Sequence, residues 1–441
     1  MFKKIFISGL LAISLIFGVS ACTNNNTQEK QKQAYTNQAD YPAQYKYIKD
    51  FEQLGYGVFV HFGLYSIIGQ GEWYLDKNPN ANKEEYEKLP AQFNVDPDWA
   101  KDIVSSAKNS GAKYITITTR HHEGFSLYDT CGLNTYDAPH SKCHRDLIKE
   151  FVSECNAQGI KPFFYHTLLD WHEPTYTQDF DKYLDYLYNS VELLCTNYGE
   201  IGGFWFDGWW DKKDADWKFD RLYNMVKKHQ PNAMIINNTG LDNLGKVSHP
   251  LIDSVTFERG NPSFVDNSDR PRAGEMCESI TDHWGYAKDD ISFKPVSSLI
   301  DTLMICRKFN SNFLLNVGPQ ANGKFGDYEK QTLDYLGKWI KTNKDFIYKA
   351  RKTDIDADNA DILYDESHYY AVISDVPMET NVKKDDPNAL KTINIKTDKK
   401  VVNAIYLDNN KAPEVSDNKF KLNPFPYGTS LHTRIVQFDL E

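Results

Sequence analysis

From residue 45 to about residue 344 the chain alternates short apolar runs with longer amphipathic stretches. The runs cover residues 56–62, 113–119, 161–165, 203–207, 233–237, 254–258 and 312–316, and most are rich in β-branched and aromatic residues. Between them, apolar positions recur at helical spacing over 97–110, 146–158, 181–197, 216–229 and 296–310. Strand followed by helix, repeated over roughly 300 residues, predicts a parallel (β/α)8, TIM-like barrel with one strand degenerate or missed. A doubly wound open sheet is the alternative. It is less favoured because the runs end in chemistry-bearing residues all along the chain and not at one switch point. Past Lys344 the period changes. Residues 361–364, 368–373, 392–395, 404–407 and 433–438 are short, β-rich and split by Asp, Asn and Pro turns, which predicts a small antiparallel β-sandwich. The barrel is thus expected over 45–345 and the sandwich over 346–441.

The beginning of the chain reads as an address. Lys3 and Lys4 precede an apolar stretch, 5–19, that is too short and too interrupted by Gly and Ser for a membrane span. It ends Val19-Ser20-Ala21-Cys22, which resembles a bacterial lipobox. Residues 1–21 are then a lipoprotein signal peptide, Cys22 the lipidated first residue, and 22–44 a polar flexible tether. The expected location is the bacterial cell envelope, exported and lipid-anchored through Cys22. Cys131, Cys143, Cys155, Cys195, Cys277 and Cys306 match no zinc spacing. Export permits a Cys131–Cys143 bridge, and free buried thiols fit equally well.

Charge and composition narrow the function. Acidic residues exceed basic ones, 61 against 50, for a net charge of −11, which argues against a nucleic-acid partner. With 27 Tyr, 25 Phe and 9 Trp, the chain can build flat apolar walls with polar edges, as sugar binding requires.

In such a barrel the reactive side chains stand at the carboxyl ends of the strands. Those ends carry His61, then Glu72 and Trp73; Arg120, His121, His122 and Glu123; Tyr165 and His166; Trp205 and Asp207; and Glu258 with Arg259. Strand alternation sends Trp205 and Asp207 into the mouth and Phe204 and Phe206 toward the helices. A carboxylate ringed by Trp205, Trp209 and Trp210 is partly shielded from water and would stabilise a developing cation. The competing role, an N-cap for a following helix, is less suited because Gly208-Trp209-Trp210 is a poor helix start. A second carboxyl is needed to protonate a departing oxygen. Glu258 is one candidate, Glu275 its rival, and Glu278 a distant third. His61, His121 and His122 show no metal-ligand spacing, and hydroxyl recognition is the better role for at least two of them.

Several segments together resemble the family 29 glycoside hydrolases, the retaining α-L-fucosidases. They are 57–63 (GVFVHFG), 71–74 (GEWY), 119–125 (TRHHEGF), 204–208 (FWFDG), 275–277 with 284–286 (EMC, WGY), and 314–319 (LLNVGP), in the family's order. The resemblance implies a (β/α)8 catalytic domain, no cofactor, and removal of terminal α-L-fucose from glycoconjugates with retention. It gives Asp207 the nucleophile role, and matches His61, Glu72, Trp73, His121, His122, Tyr165 and Trp205 to sugar-holding positions. The acid/base is placed on Glu258, with Glu275 as alternative. The chain departs from the family after the fifth strand, where an Arg is often found and Asn237-Asn238-Thr239-Gly240 stands here; Arg259 is a candidate substitute. Two other readings are carried forward: a retaining hydrolase of a related sugar such as α-L-galactose, and a catalytically inactive lipid-anchored glycan-binding protein.

Overall fold

In the computed structural model, which describes residues 41–382 and 390–441, eight parallel strands close into a barrel in chain order. They are β1 (Tyr56–Val60), β2 (Tyr114–Arg120), β3 (Lys161–Thr167), β4 (Gly203–Asp207), β5 (Met234–Asn237), β6 (Ser254–Thr256), β7 (Ala273–Ser279) and β8 (Ser311–Val317). β8 pairs back onto β1, and helices such as Trp99–Asn109, Leu147–Gln158 and Phe180–Asn197 cover the outside. The signal peptide, Cys22 and most of the tether lie outside the described residues.

Strand alternation divides the side chains as the sequence predicts. Phe59, Tyr165, Trp205, Met234 and Ile236 pack together inside the barrel, while Phe204 and Phe206 join the outer core under the helices. The amino-terminal end of the barrel is plugged by the helix Lys46–Glu52, whose Phe51 ring lies 5.6 Å from Tyr114 and 5.5 Å from Phe163. Water is therefore excluded below, and the opposite mouth is left for chemistry.

The strand that hydropathy hides is β7, Ala-Gly-Glu-Met-Cys-Glu-Ser. It is buried along almost its whole length yet polar, because Glu275 finds partners inside the barrel. A sixth long barrel helix, Asp327–Thr342, follows β8, beyond the five that helical spacing predicts.

Past the barrel lie two antiparallel sheets, one of five strands and one of four. The first contains Asp361–Tyr364, Tyr369–Ile373 and Arg434–Leu440; the second contains Thr392–Lys396. Ile362, Ala371 and Ile373 pack with Ile393, Ile395 and Phe420 to make the sandwich core. Leu363, Tyr370, Val372 and Ile435 belong instead to the barrel's outer core, so the five-stranded sheet is anchored on the barrel.

Candidate active site

A pocket opens at the carboxyl ends of the strands. His61, His121, His122 and Tyr165 line it, as do Trp73, Trp205, Asp207 and Glu258. Asp207 ends β4, and the chain turns at once through Gly208, whose φ of 93° lies in the left-handed region. A Cβ at Gly208 would come within 2.7 Å of Leu169 Cβ, so only glycine lets the turn pass and keeps the carboxyl in the mouth. A single 3-10 turn, Trp209–Lys212, follows without any side-chain cap, so Asp207 is free of the capping role.

The two mouth carboxyls share one donor. Asn238 Nδ2 lies 2.6 Å from Glu258 Oε2 and 3.2 Å from Asp207 Oδ1. The two oxygens are therefore within about 6 Å of each other, close to the about 5–5.5 Å of retaining glycosidases and short of the about 6.5–9.5 Å of inverting ones. Tyr165 donates its hydroxyl to Asp207 Oδ2 at 3.0 Å. Burial raises Asp207 above the ordinary carboxyl range, against hydrogen bonds from Asn238, Tyr165 and the Gly208 N–H. Burial first, and the charge of Asp207 second, push Glu258 up to about 7. Glu258 thus keeps a proton up to about neutrality, beside an aspartate that hydrogen bonds draw toward its ionised form.

The histidines are neutral and their tautomers are set by their neighbours. Asn316 Nδ2 donates to Ser279 Oγ at 2.9 Å and Trp284 O at 2.8 Å, so its oxygen, 2.7 Å from His61 Nδ1, accepts the imidazole proton. His61 Nε2 is left as a bare acceptor. Thr167 uses its hydroxyl proton on the Leu169 carbonyl and must accept from His122 Nδ1 at 2.7 Å. His122 Nε2, 3.6 Å from Asp207 Oδ2, is likewise a bare acceptor. Burial holds both imidazoles down to about 3. His121 stacks on Tyr165 at 17°, Tyr165 on Trp205 at 18°, and His121 Nδ1 is buried without a hydrogen-bond partner.

Other expected residues lie elsewhere. Glu275 sits below the mouth: its Oε1 accepts from Trp205 Nε1 at 2.9 Å and its Oε2 from the Tyr114 hydroxyl at 2.5 Å. Glu72 is buried and accepts the Gly285 N–H at 2.7 Å, holding the loop that carries Trp284. Neither is among the pocket-lining residues. Glu278 pairs with Lys294 at 3.4 Å at the rim. Arg259 lies over the Trp284 ring at 4.8 Å and donates to Asp282 O, so it braces a wall of the pocket and does not line it. Cys131 and Cys143 are both free thiols.

Sequence reasoning misses Asn238 and Asn316 as functional residues, as well as the lining residues Phe59, Cys277 and Trp284; of the two indoles expected around Asp207 after β4, Trp210 lines the pocket and Trp209 does not. Asn238 follows β5 directly, so the strand-end rule was the signal available for it. Asn316 lies on β8 beside β1, within the Leu-Leu-Asn-Val segment already singled out.

A closed parallel barrel whose mouth holds two half-buried carboxyls among neutral histidines and indoles defines a glycoside hydrolase. The family model described as Alpha-L-fucosidase matches residues 22–345. The chain belongs to the α-L-fucosidase family. Tissue alpha-L-fucosidase of Bos taurus is 25% identical over 345 residues, 71% of this chain and 71% of that protein. Among solved structures, Alpha-L-fucosidase isoenzyme 1 from Paenibacillus thiaminolyticus superposes with a TM-score of 0.77 at 28% identity, over 91% of this chain and 100% of that one. An alpha-L-fucosidase GH29 from Bacteroides thetaiotaomicron gives a TM-score of 0.73 at 25% identity, over 90% and 95%.

Proposed function

We propose that this chain removes terminal α-L-fucose from glycoconjugates with retention, Asp207 acting as nucleophile and Glu258 as acid/base. The observation that carries the reading is the single Asn238 amide within hydrogen-bond reach of both carboxyls. In the first step an Asp207 oxygen bonds to the anomeric carbon, the glycosidic C–O bond breaks, and Glu258 gives its proton to the departing oxygen. Water then attacks the glycosyl ester; Glu258 takes the water's proton, and Asp207 leaves as carboxylate.

The remaining contacts follow from the tautomers. His61 and His122 offer lone pairs only, so sugar hydroxyls would donate to them. Phe59 and Trp284, with ring centroids 6.2 Å apart, give the pocket an apolar wall on which a C6 methyl loses no polar partner.

A fluorescent aryl α-L-fucoside, with NMR of the first-formed sugar, tests the activity and its stereochemistry; β-L-fucose as first product would end the mechanism. Asp207→Ala should abolish turnover in a folded protein. Glu258→Ala should regain activity with azide and yield the α-fucosyl azide, whereas rescue of Glu275→Ala alone would move the acid/base there.

The lipobox-like Val19-Ser20-Ala21-Cys22 and the polar residues after it support an envelope lipoprotein that meets fucosylated glycans at the membrane. A Cys22→Ala variant recovered in the soluble fraction, against a membrane-bound parent, is the expected result.

A further inference from the structure

Asn238 is buried, 1% exposed, and each of its polar groups is engaged. Its backbone N–H donates to Phe206 O at 2.9 Å, and its carbonyl accepts the Trp209 indole N–H at 3.1 Å. Its side-chain oxygen accepts the Thr256 hydroxyl at 3.0 Å. An ionised Asp207 can only accept, so the amide presents its N–H groups to the acids and leaves its oxygen toward β6, where the Thr256 hydroxyl donates to it. One amide just past β5 therefore ties the carboxyl that ends β4 to the carboxyl just past β6.

We propose that Asn238 is a positioning residue that decides which oxygen of Glu258 carries the transferable proton. The inference rests on Glu258 being the acid/base. In a neutral carboxyl group the carbonyl oxygen is the good acceptor and the hydroxyl oxygen a poor one. The Asn238 N–H occupies Oε2, so Oε2 is the carbonyl and the proton resides on Oε1. The second N–H, on Asp207 Oδ1, keeps the nucleophile from turning its charge toward that proton. No basic side chain at position 238 is needed for this, and a neutral donor leaves Glu258 able to stay protonated, where an arginine in the same place would hold it ionised.

Several other groups act on the two acids. Glu258 also faces Arg259, the Cys277 thiol and Glu278 of β7, and the Tyr165 hydroxyl of β3. Asp207 faces Tyr165, Cys277 and His122. Against that background the Asn238 hydrogen bonds lower both acids, so removing them raises both.

The test uses Asn238→Leu and Asn238→Asp in the full chain, with an alkyl and an activated aryl α-L-fucoside. Asn238→Asp is nearly isosteric and keeps an oxygen for Thr256, so it guards against misfolding of the leucine variant. A misplaced proton harms a poor leaving group most. The alkyl fucoside should lose on the order of 100-fold in kcat/KM in both variants, and the aryl fucoside less than about tenfold. The alkaline limb of the pH profile should move up by about one unit in Asn238→Leu and further in Asn238→Asp, where a third acid adjoins Glu258. Equal losses on both substrates, or a limb that stays in place in both variants, would overturn the proposal. Failure of the parent protein to cleave the aryl fucoside would instead sink the activity itself, independently of Asn238.

Discussion

Trp205 donates its indole N–H to Glu275 Oε1 at 2.9 Å, inside the barrel and beside the near-parallel ring of Tyr165. The other oxygen of Glu275 accepts from Tyr114, so both oxygens are spent on interior donors, and burial pushes the group up to about 7. This carboxyl holds the floor of the pocket. Glu275→Ala should therefore strand two buried donors and cost about 3 kcal/mol in unfolding free energy, measured by denaturant titration. Glu275→Gln, which keeps one acceptor, should cost less. Added azide should restore activity to neither variant.

The pH profile of kcat/KM should be a bell whose alkaline side reports Glu258. Its folded value of about 7 means that the proton-donating form is lost as pH rises through neutrality. Asp207 must be ionised, and its raised value sets the acid side at a pH above that of an ordinary aspartate. In Glu258→Gln the alkaline fall should vanish, with the residual rate on an activated aryl fucoside flat across that range. An alkaline limb surviving in that variant would assign it to another group.

Glu123 offers a stability counterpart. It follows His121 and His122, is 2% exposed, and accepts hydrogen bonds from the Tyr86 hydroxyl and the Leu64 N–H. Burial pushes it up to about 7, above its ordinary value of 4.5. Between these values the folded chain keeps a proton that the unfolded chain has lost, so stability is highest below the ordinary value and declines as pH rises toward 7. The difference in unfolding free energy between the parent and Glu123→Gln should shrink by roughly 3 kcal/mol across that window. The buried histidines work in the opposite sense over part of it, and comparing two proteins that share them cancels their effect.

The barrel was legible because most of its strands are apolar and alternate cleanly; Trp205 and Asp207 face inward as period two requires, with Phe204 and Phe206 outward. The choice between Glu258 and Glu275 was not legible, since it depends on β7, whose polar residues break the apolar pattern. The register settles the height of each group: Thr256 pairs with Glu275, whereas Glu258 lies two residues beyond Thr256, so Glu275 stands a layer lower. Asn238 was hidden for a different reason. Its significance arises only where the ends of β4, β5 and β6 converge, and a neutral amide announces no chemistry of its own in a linear chain.

The tautomer of His122 gives the last prediction. Thr167 stands opposite Asp207 in the β3–β4 register, and its oxygen is what holds the His122 proton on Nδ1. Thr167→Val preserves shape and removes that acceptor. The proton should then shift to Nε2, which lies 3.6 Å from Asp207 Oδ2. A lone pair that could accept a sugar hydroxyl becomes a donor aimed at the nucleophile, which weakens both ground-state binding and attack. A loss of about 10–100-fold in kcat/KM, shared between KM and kcat, is expected. Thr167→Ser keeps the hydroxyl and should retain most of the activity. If the valine and serine variants behave alike, the hydroxyl does not set the imidazole, and His122 takes its orientation from the indoles of Trp73, Trp171 and Trp210 packed around it.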